Sequence, residues 1–328
     1  MKADLSSIWL LGGVNAPVRV RLCVEGWGVI TSSQESGPMT TFKLRRRHVV
    51  PVAVAFFGAA AVVAWPAGSP SAGTASTVGA VSTLSTVSTK NYISNVTGYW
   101  PQVRALGFDV LDTSSSKSVV NSLPAGAQSM VWLGSGQKCP TPPDSTFRAA
   151  VDNLAGNPKV YGYYIADEPE ILSCASGPTN LKARVDYIRA KHPAAKTFIV
   201  IDDQVAMVPY APARTRVNLV GLDPYPCNTR VRTCDLTKIA QRVGWATTAG
   251  IPRSAIVPVI QAFGQEDFGG YYRMPTRDEF RALLAEWARL VPTPQMDYTY
   301  SWKNQPRTSD PTLIDAPLLQ QLMKAHNG

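Results

Sequence analysis

From residue 91 onward, short apolar runs alternate with amphipathic stretches, a pattern typical of repeated strand–helix units around a parallel sheet. The apolar runs are nearly continuous, as expected for strands that are covered on both faces. Eight strands are predicted, at 93–99, 108–111, 129–133, 160–165, 197–201, 217–222, 255–260 and 296–300. Helices are predicted at 101–106, 116–123, 146–154, 180–191, 236–249, 277–291 and 316–325.

Because each predicted strand is followed by a helix or a helix-like segment, residues 91–328 are predicted to form a single (β/α)8 TIM barrel of the α/β class. Residues 76–90 are rich in Ser, Thr, Val and Gly, which is typical of a flexible lead-in. An open doubly wound sheet is the alternative fold. That fold usually carries a glycine-rich phosphate loop after an early strand, and the sequence has none.

The segment before the barrel has the three parts of a secretory signal peptide. Basic residues at 43–47 precede an apolar run at 49–65, and small or turn-forming residues follow. We expect a signal peptide over 39–75 that is cleaved near Ser76, so that the mature protein is extracellular. An uncleaved membrane anchor is the alternative, since the apolar run is near the lower length limit of a span.

A signal peptide begins close to the true amino terminus, yet this one is preceded by a long extension. Met39 lies four residues before Lys43. We therefore expect translation to start at Met39, and residues 1–38 to be a start-site extension that is disordered. A start-codon mutation at Met39 tests this expectation, because secretion that survives the mutation contradicts it.

Composition restricts the chemistry that the chain can perform. The formal net charge is +9, but no basic run follows the leader, so a nucleic-acid partner is not expected. The chain has only 3 histidines, too few for a multi-histidine metal site and poorly placed for a Ser-His-Asp triad. We therefore expect no metal or other cofactor, and chemistry that rests on carboxylates, amides and aromatic rings.

Four cysteines follow the leader, and an even number in an exported chain predicts disulfides. Cys227 and Cys234 bracket a short polar loop and are expected to pair, which leaves Cys139 and Cys174 for a second bridge. Four free thiols are the alternative.

The carboxyl ends of the strands are where barrel enzymes carry their catalytic groups. Here those ends combine carboxylates, an amide and aromatic rings: Asp112, Trp132, Asp167, Glu168, Asp202, Asp203, Asp223, Tyr225, Gln261 and Trp302. Tyr99 and Trp100 follow the first predicted strand, and Tyr164 precedes the acidic pair. Carboxyl groups cleave glycosidic bonds, while aromatic rings and polar groups hold sugar rings and hydroxyls.

The sequence therefore predicts a carbohydrate site. The candidate catalytic residues are Glu168, Asp167 and Asp223. The candidate substrate-binding residues are Tyr99, Trp100, Asp112, Trp132, Tyr164, Tyr225, Gln261 and Trp302.

The strongest motif is Tyr-Tyr-Ile-Ala-Asp-Glu-Pro at 163–169. It resembles the Asn-Glu-Pro motif of the large clan of retaining barrel glycosidases, and this resemblance implies that Glu168 is the general acid/base. The motif departs from that clan because Asp167 replaces Asn. The seventh strand ends in Gln261, where the clan has a nucleophilic Glu, and the nearest carboxylates are Glu266 and Asp267.

The adjacent Asp-Glu pair is also similar to the pair in substrate-assisted hexosaminidases. That resemblance implies that Glu168 is the acid and that Asp167 orients a substrate acetamide. Inversion is a third mechanism, with Asp223 or Asp112 as the base that activates water. The same Asp-Glu-Pro motif also suits the start of a helix, since acidic residues and proline are favoured there.

We expect a secreted glycoside hydrolase that acts on a polysaccharide or glycoconjugate as a monomer, with no stable membrane association after signal cleavage. A non-catalytic carbohydrate-binding barrel is the alternative, motivated by the missing carboxylate on the seventh strand. A metal-dependent hydrolase or deacetylase is disfavoured by the scarcity of histidine.

Overall fold

The computed structural model describes residues 88–134, 138–265, 269–303 and 310–328, together with the backbone of three short strands near the amino terminus. These strands, Ile8–Leu10, Val18–Glu25 and Val29–Ser33, form an antiparallel sheet. Residues 18–25 alternate apolar and polar positions, as is typical of a strand. The disorder expected for residues 1–38 stays a prediction. The expected signal peptide at 39–75 and most of the lead-in lie outside the described residues, and the start at Met39 stays a prediction.

Eight parallel strands form a closed barrel in the order β7-β8-β1-β2-β3-β4-β5-β6. They are β1 Lys90–Ile93, β2 Val110–Thr113, β3 Gln128–Trp132, β4 Val160–Asp167, β5 Lys196–Ile201, β6 Leu219–Leu222, β7 Ile256–Gln261 and β8 Met296–Tyr300. The closure confirms the predicted (β/α)8 barrel and excludes the open sheet.

Nine helices follow these strands in the described part of the chain. They are α1 Trp100–Arg104, α2 Lys117–Asn121, α3 Ser145–Leu154, α4 Gly177–Lys191, α5 Gln204–Tyr210, α6 Pro212–Thr215, α7 Thr237–Thr248, α8 Arg277–Leu290 and α9 Pro317–Asn327. Thr276 begins α8 with a capping box that includes Glu279. No helix among the described residues is long and apolar enough to span a membrane.

Two features of the element order differ from the prediction. The first strand is Lys90–Ile93, and the predicted range 93–99 is mostly loop. This strand begins with polar residues: Lys90 Nζ contacts Asp109 Oδ2 at 2.7 Å, and the backbone N–H of Asn91 donates to Asp109 Oδ1 at 2.8 Å. Helices α5 and α6 were not predicted, because Pro209 lies inside one and Pro212 begins the next.

The core has two layers, since successive residues of a strand face opposite sides of the barrel wall. Aromatic rings fill the interior, where Tyr92 stacks on Tyr298 at 4.5 Å and Tyr164 lies 4.7 Å from Phe198 between ring centroids. Gly221 leaves space for this packing, because a Cβ there would lie 3.0 Å from the Phe198 ring. The other face of the strands packs against the helices.

Two disulfides lie at the carboxyl end of the barrel, and both expected pairings are confirmed. Cys139–Cys174 joins the β3–α3 loop to the β4–α4 loop. Cys227–Cys234 closes a short loop between β6 and α7.

Candidate active site

On several strands, the residues whose side chains face the barrel interior are followed, at the same two-residue spacing, by carboxylates at the barrel mouth. On β5 the interior residues Phe198 and Val200 are followed two positions later by Asp202. On β6 Leu219 faces the interior, and the same alternation brings Asp223 to the inward side four residues on. The strands therefore direct these carboxylates toward one place.

A bulge in β4 gives Asp167 the same direction. The pairing with β5 shifts register between Tyr164 and Ala166, and both Ile165 and Ala166 pack in the layer that faces the helices. The inward series therefore passes from Tyr164 to Asp167, and the Tyr164 phenol donates a hydrogen bond to Asp167 Oδ1 at 2.6 Å. Bulges commonly redirect side chains next to active sites.

Glu168 adopts a backbone conformation that is unusual for a side-chain-bearing residue. Its φ is 44°, in the left-handed region, and its backbone N–H donates to the carbonyl of Val200 at 3.0 Å. Tyr225, after β6, has a φ of 35°. Such strained residues cluster at functional sites, where the surrounding structure holds them in place.

Asp223 is the most deeply buried carboxyl group of the site, with 4% of its surface exposed. Its Oδ1 has no hydrogen-bond partner among the described residues. Burial raises the pKa of Asp223 well above its ordinary value, and the charge of Glu168, a side-chain hydrogen bond with Glu168 and the charges of Asp202 and Asp167 raise it further. Burial and the neighbouring carboxylates therefore favour the protonated form of Asp223.

Three further carboxyl groups at the strand ends have raised pKa values, each with burial as the largest cause. The pKa of Asp167 is also raised by Glu168 and lowered by the Tyr164 hydrogen bond. The pKa of Asp202 is also raised by the charge of Glu168. Burial raises the pKa of Asp112, although the backbone N–H of Val96 donates to its Oδ1 at 3.1 Å. We refer to Asp167, Glu168, Asp202 and Asp223 as the acid cluster.

Lys138, which the sequence analysis did not identify, reaches the acid cluster from the β3–α3 loop. Its ammonium forms an ion pair with Glu168 Oε2. Burial lowers the pKa of Lys138, but the hydrogen bond and charge of Glu168, with the charges of Asp202 and Asp167, raise it overall. The adjacent disulfide at Cys139 and a 2.7 Å hydrogen bond from the Glu170 N–H to the Lys138 carbonyl anchor this loop.

Aromatic side chains surround the acid cluster. Trp132 at the end of β3 is 40% exposed, and its ring meets Tyr164 edge to face at 4.7 Å. Tyr225 contacts Tyr272 at 5.4 Å and Tyr300 at 6.2 Å between ring centroids. Neither Tyr272 nor Tyr300 was predicted. Their phenols have pKa values raised first by burial and then by nearby carboxylates, so both rings lie near the acids.

Gln261 is placed differently from its expected role in substrate binding. The residue is fully buried. Its Oε1 accepts from the Cys227 N–H at 2.9 Å, and its Nε2 donates to the carbonyls of Cys227, Phe263 and Arg273 at 2.9, 3.4 and 3.1 Å. The amide therefore joins the β6–α7 and β7–α8 loops to each other and offers no free donor to a sugar hydroxyl.

Three predicted aromatic residues also lie in packing positions. Trp302 is only 3% exposed and packs in the hydrophobic core. Its role in substrate binding stays a prediction. Trp100 packs against the same core at the start of α1. Tyr99 is half-buried, lies 6.3 Å from the Trp302 ring and has Lys303 Nζ over its face at 4.9 Å. Burial of these rings between strands and helices leaves Trp132 as the most exposed tryptophan of the described mouth.

Signals for the unpredicted residues were partly present in the sequence. Tyr300 continues the inward series of Met296 and Tyr298 along β8, so alternation alone points to it. Lys138 and Tyr272 lie in loops, where the sequence has no periodic pattern.

Among the residues that the structure describes, no group of three or more His, Cys, Asp or Glu side chains is placed to hold a metal ion. Glu266 and Asp267 lie outside the described residues.

No protein-family model and no curated protein matches this chain. Solved structures of similar fold include a family GH18 chitinase from Cycas revoluta in complex with allosamidin, at 12% identity, a TM-score of 0.49 and coverage of 74% of this chain and 100% of that chain. They also include a GH128 endo-β-1,3-glucanase mutant from Amycolatopsis mediterranei in complex with laminarihexaose, at 12% identity, a TM-score of 0.48 and coverage of 73% and 100%. A chitinase-like agglutinin from Robinia pseudoacacia is similar at 12% identity, a TM-score of 0.46 and coverage of 73% and 99%.

Proposed function

We propose that this chain is a secreted glycoside hydrolase that acts on a polysaccharide or glycoconjugate, with Glu168 as the general acid/base. The observation that carries the proposal is the pairing of Glu168 with Asp223. Burial favours the protonated form of Asp223, while Glu168 faces an ammonium group. Glycosidic cleavage needs one carboxyl group that gives a proton and another that carries negative charge, and environments that separate two carboxyl groups supply both.

The geometry supports the following sequence. When substrate binds, Glu168 takes the proton of Asp223 through their shared hydrogen bond and gives it to the glycosidic oxygen as the bond from that oxygen to the anomeric carbon breaks. Asp223 is left as a carboxylate that stabilises the positive charge at the anomeric carbon. A water molecule then adds its hydroxyl to that carbon, and its proton returns to the carboxyl pair.

Asp167 is the other candidate for the assisting carboxylate. Tyr164 fixes its orientation through the 2.6 Å hydrogen bond, and the bulge in β4 directs it inward. In a substrate with an acetamide group, Asp167 would hold that group against the reacting carbon while Glu168 serves as acid.

Separation of the carboxyl groups bears on the stereochemical outcome. Inversion needs about 6.5–9.5 Å between them so that water fits in the gap. The side-chain interaction of Glu168 with Asp223 favours the shorter separation, about 5–5.5 Å, that retention uses. Retention of the anomeric configuration is therefore expected, and proton NMR of the first product formed measures it.

A second candidate function is carbohydrate binding without turnover. It is favoured by the Lys138 ion pair, because that ammonium group already binds Glu168, the proposed acid. It is also favoured by Gln261, which lies at the end of β7, where retaining barrels carry a carboxylate. The two disulfides fit an extracellular protein under either function.

The test compares the purified protein with its Glu168→Gln variant on a panel of polysaccharides that includes N-acetylated ones. We expect reducing-sugar release by the parent and a loss of about 100- to 10,000-fold in the variant. Asp152→Asn, which neutralises a half-exposed carboxylate on α3, is the matched control. An unimpaired Glu168→Gln variant would remove Glu168 from the role, and binding without release by the parent would favour the second candidate.

A further inference from the structure

A cleft lies next to Glu168, between the loops that follow β4 and β5. Four carboxylates, those of Glu168, Glu170, Asp202 and Asp203, line it together with a single cation, Lys138, and the other lining residues are apolar. The charge of a sugar determines how well it binds at such a place. A uronic acid would be repelled by the carboxylates, and a neutral sugar would offer them only hydroxyl donors. We refer to this space as the acidic cleft.

The carboxylates of the acidic cleft differ in how far they are already engaged. Asp203 Oδ1 caps α5 by accepting from the Val205 N–H at 3.2 Å. Glu170 Oε2 accepts from Ser173 Oγ at 2.5 Å. Asp202 is half-buried and receives no hydrogen bond from any other residue of the described chain. Asp223, which interacts with the charges of Asp202 and Glu168, is buried, and its Oδ1 also has no partner among the described residues.

An ammonium group already occupies this cleft. Lys138 reaches into it, pairs with Glu168 and also interacts with the charges of Asp202 and Asp167. The position beside Glu168 therefore accepts a primary ammonium ion, and the carboxylates that bind it remain in excess over the cation. A ligand that brings its own ammonium group could take over the contact with Glu168 and use the unengaged oxygens of Asp202.

We propose that the acidic cleft binds a sugar residue that carries a protonated amino group, so that the glycan is a partly or wholly de-N-acetylated hexosamine polymer. This inference rests on the proposed carbohydrate function. On binding, the sugar ammonium lies between Asp202 and Glu168 and displaces the Lys138 side chain. Lys138 is then a cation that holds the carboxylates together until the substrate replaces it.

The charge of the chain that follows the leader makes this preference selective. Residues 76–328 hold 25 Lys and Arg against 20 Asp and Glu, and this formal net charge of +5 repels cationic polymers from the surface as a whole. Tight binding of a cationic oligosaccharide would therefore report a local site and not general attraction.

The experiment measures binding of two oligosaccharides of equal length, one made of glucosamine and one of N-acetylglucosamine, to the full disulfide-bonded protein by isothermal titration calorimetry. Reducing ends are assayed in every sample, so binding and turnover are scored separately. We expect the glucosamine oligomer to bind at least about fivefold more tightly at low ionic strength, with most of this preference lost at high salt.

Two variants test the site in opposite directions. Asp202→Asn should lower the affinity for the glucosamine oligomer by about fivefold and leave the affinity for the N-acetylated oligomer unchanged. Lys138→Gln should raise the affinity for the glucosamine oligomer, because the competing cation is gone. Asp152→Asn on α3 serves as the control for the loss of one half-exposed carboxylate outside the cleft.

Equal affinity for the two oligomers, or an unchanged preference in both variants, would overturn the inference, even if the protein hydrolyses some other glycan. Preferential binding of the glucosamine oligomer without release of reducing ends would support the inference and argue against the hydrolase. Preferential binding together with release supports both.

Discussion

Tyr164 and Asp167 lie three residues apart on β4, yet the phenol of the first donates a 2.6 Å hydrogen bond to the carboxylate of the second. Regular alternation would place residues three apart on opposite faces of a strand. The bulge removes that difference and brings both side chains to the barrel mouth. The pair therefore joins the aromatic interior of the barrel to its acid cluster.

Replacing Tyr164 with Phe should change the pH dependence of activity. The phenol lowers the pKa of Asp167, so its loss should raise that pKa. If Asp167 assists as a carboxylate, the acidic limb of the kcat/KM profile should move to higher pH, and kcat should fall about tenfold. Profiles of the wild type and the variant, measured from acidic to neutral pH, check this expectation.

Tyr163→Phe is the matched control for that experiment. Tyr163 is also a buried tyrosine of β4, but it faces the helices, and its hydroxyl lies 3.1 Å from His192 Nδ1. It should lose some stability and keep the wild-type pH profile. A shifted profile in both variants would mean that the strand, and not the Asp167 contact, controls the titration.

Replacing Asp223 with Asn should abolish turnover and stabilise the fold near neutral pH. The folded-state pKa of Asp223 lies well above the unfolded-state value of about 3.9. Between those two values the folded protein binds more protons than the unfolded chain, so stability falls as the pH rises through this window. The variant lacks this loss, and its Tm should exceed that of the wild type by a few degrees at neutral pH.

Thermal denaturation at several pH values checks that prediction. Below the unfolded-state pKa Asp223 is protonated in both states, so the Tm advantage of the variant should shrink toward zero there. An advantage of the same size at every pH would show that packing, and not ionisation, is responsible.

Trp132 and Trp302 should respond differently to replacement by Ala. Trp132 is 40% exposed at the mouth, so its loss should raise KM by about three- to tenfold, equivalent to roughly 0.7–1.4 kcal/mol, and leave the unfolding free energy nearly unchanged. Trp302 is 3% exposed, and its loss should cost about 3–5 kcal/mol of stability. Urea denaturation and steady-state kinetics on both variants distinguish the roles, and a destabilised Trp132→Ala protein would contradict them.

Gln261→Glu tests whether the end of β7 can accept the carboxylate that retaining barrels carry there. The Gln261 amide nitrogen donates to three backbone carbonyls, and a carboxylate would face those oxygens without a proton to offer. We expect the variant to lose at least about 2 kcal/mol of stability and to gain no activity. Gln241→Glu, at an exposed glutamine of α7, is the control, and higher activity in Gln261→Glu would restore a substrate-facing role.

Most of the fold was predictable because parallel barrel strands are buried on both faces and appear as apolar runs. The strand that was misplaced, β1, has only four residues and begins with Lys90 and Asn91, whose polar groups bind Asp109. The helices that were missed contain or begin with proline. Both failures occur where tertiary hydrogen bonds or a local turn outweigh the apolar pattern.

In the candidate site, residues at the ends of strands could be predicted from the sequence, and residues in loops could not. The positions of Asp167, Glu168 and Asp223 at one end of the barrel could be predicted because strand ends are fixed by the strands themselves, while their catalytic roles stay predictions. Lys138 was not, since its approach to Glu168 depends on a loop that the Cys139 disulfide holds in place. The position of Trp302 after β8 is typical of an aromatic ring that binds a sugar. Its burial depends on the packing of the neighbouring loops, which the sequence does not predict.

Both disulfides of the described chain lie in loops at the mouth of the barrel, where one joins two loops and the other closes a single loop, and neither links the strands. Production in a reducing cytoplasm would leave the strand pairing intact while freeing the loop that carries Lys138. Such a preparation would give a normal circular dichroism spectrum and elute at the expected size. Failure to act on any glycan would then reflect the choice of expression host, so thiol titration of each batch should precede any conclusion about activity.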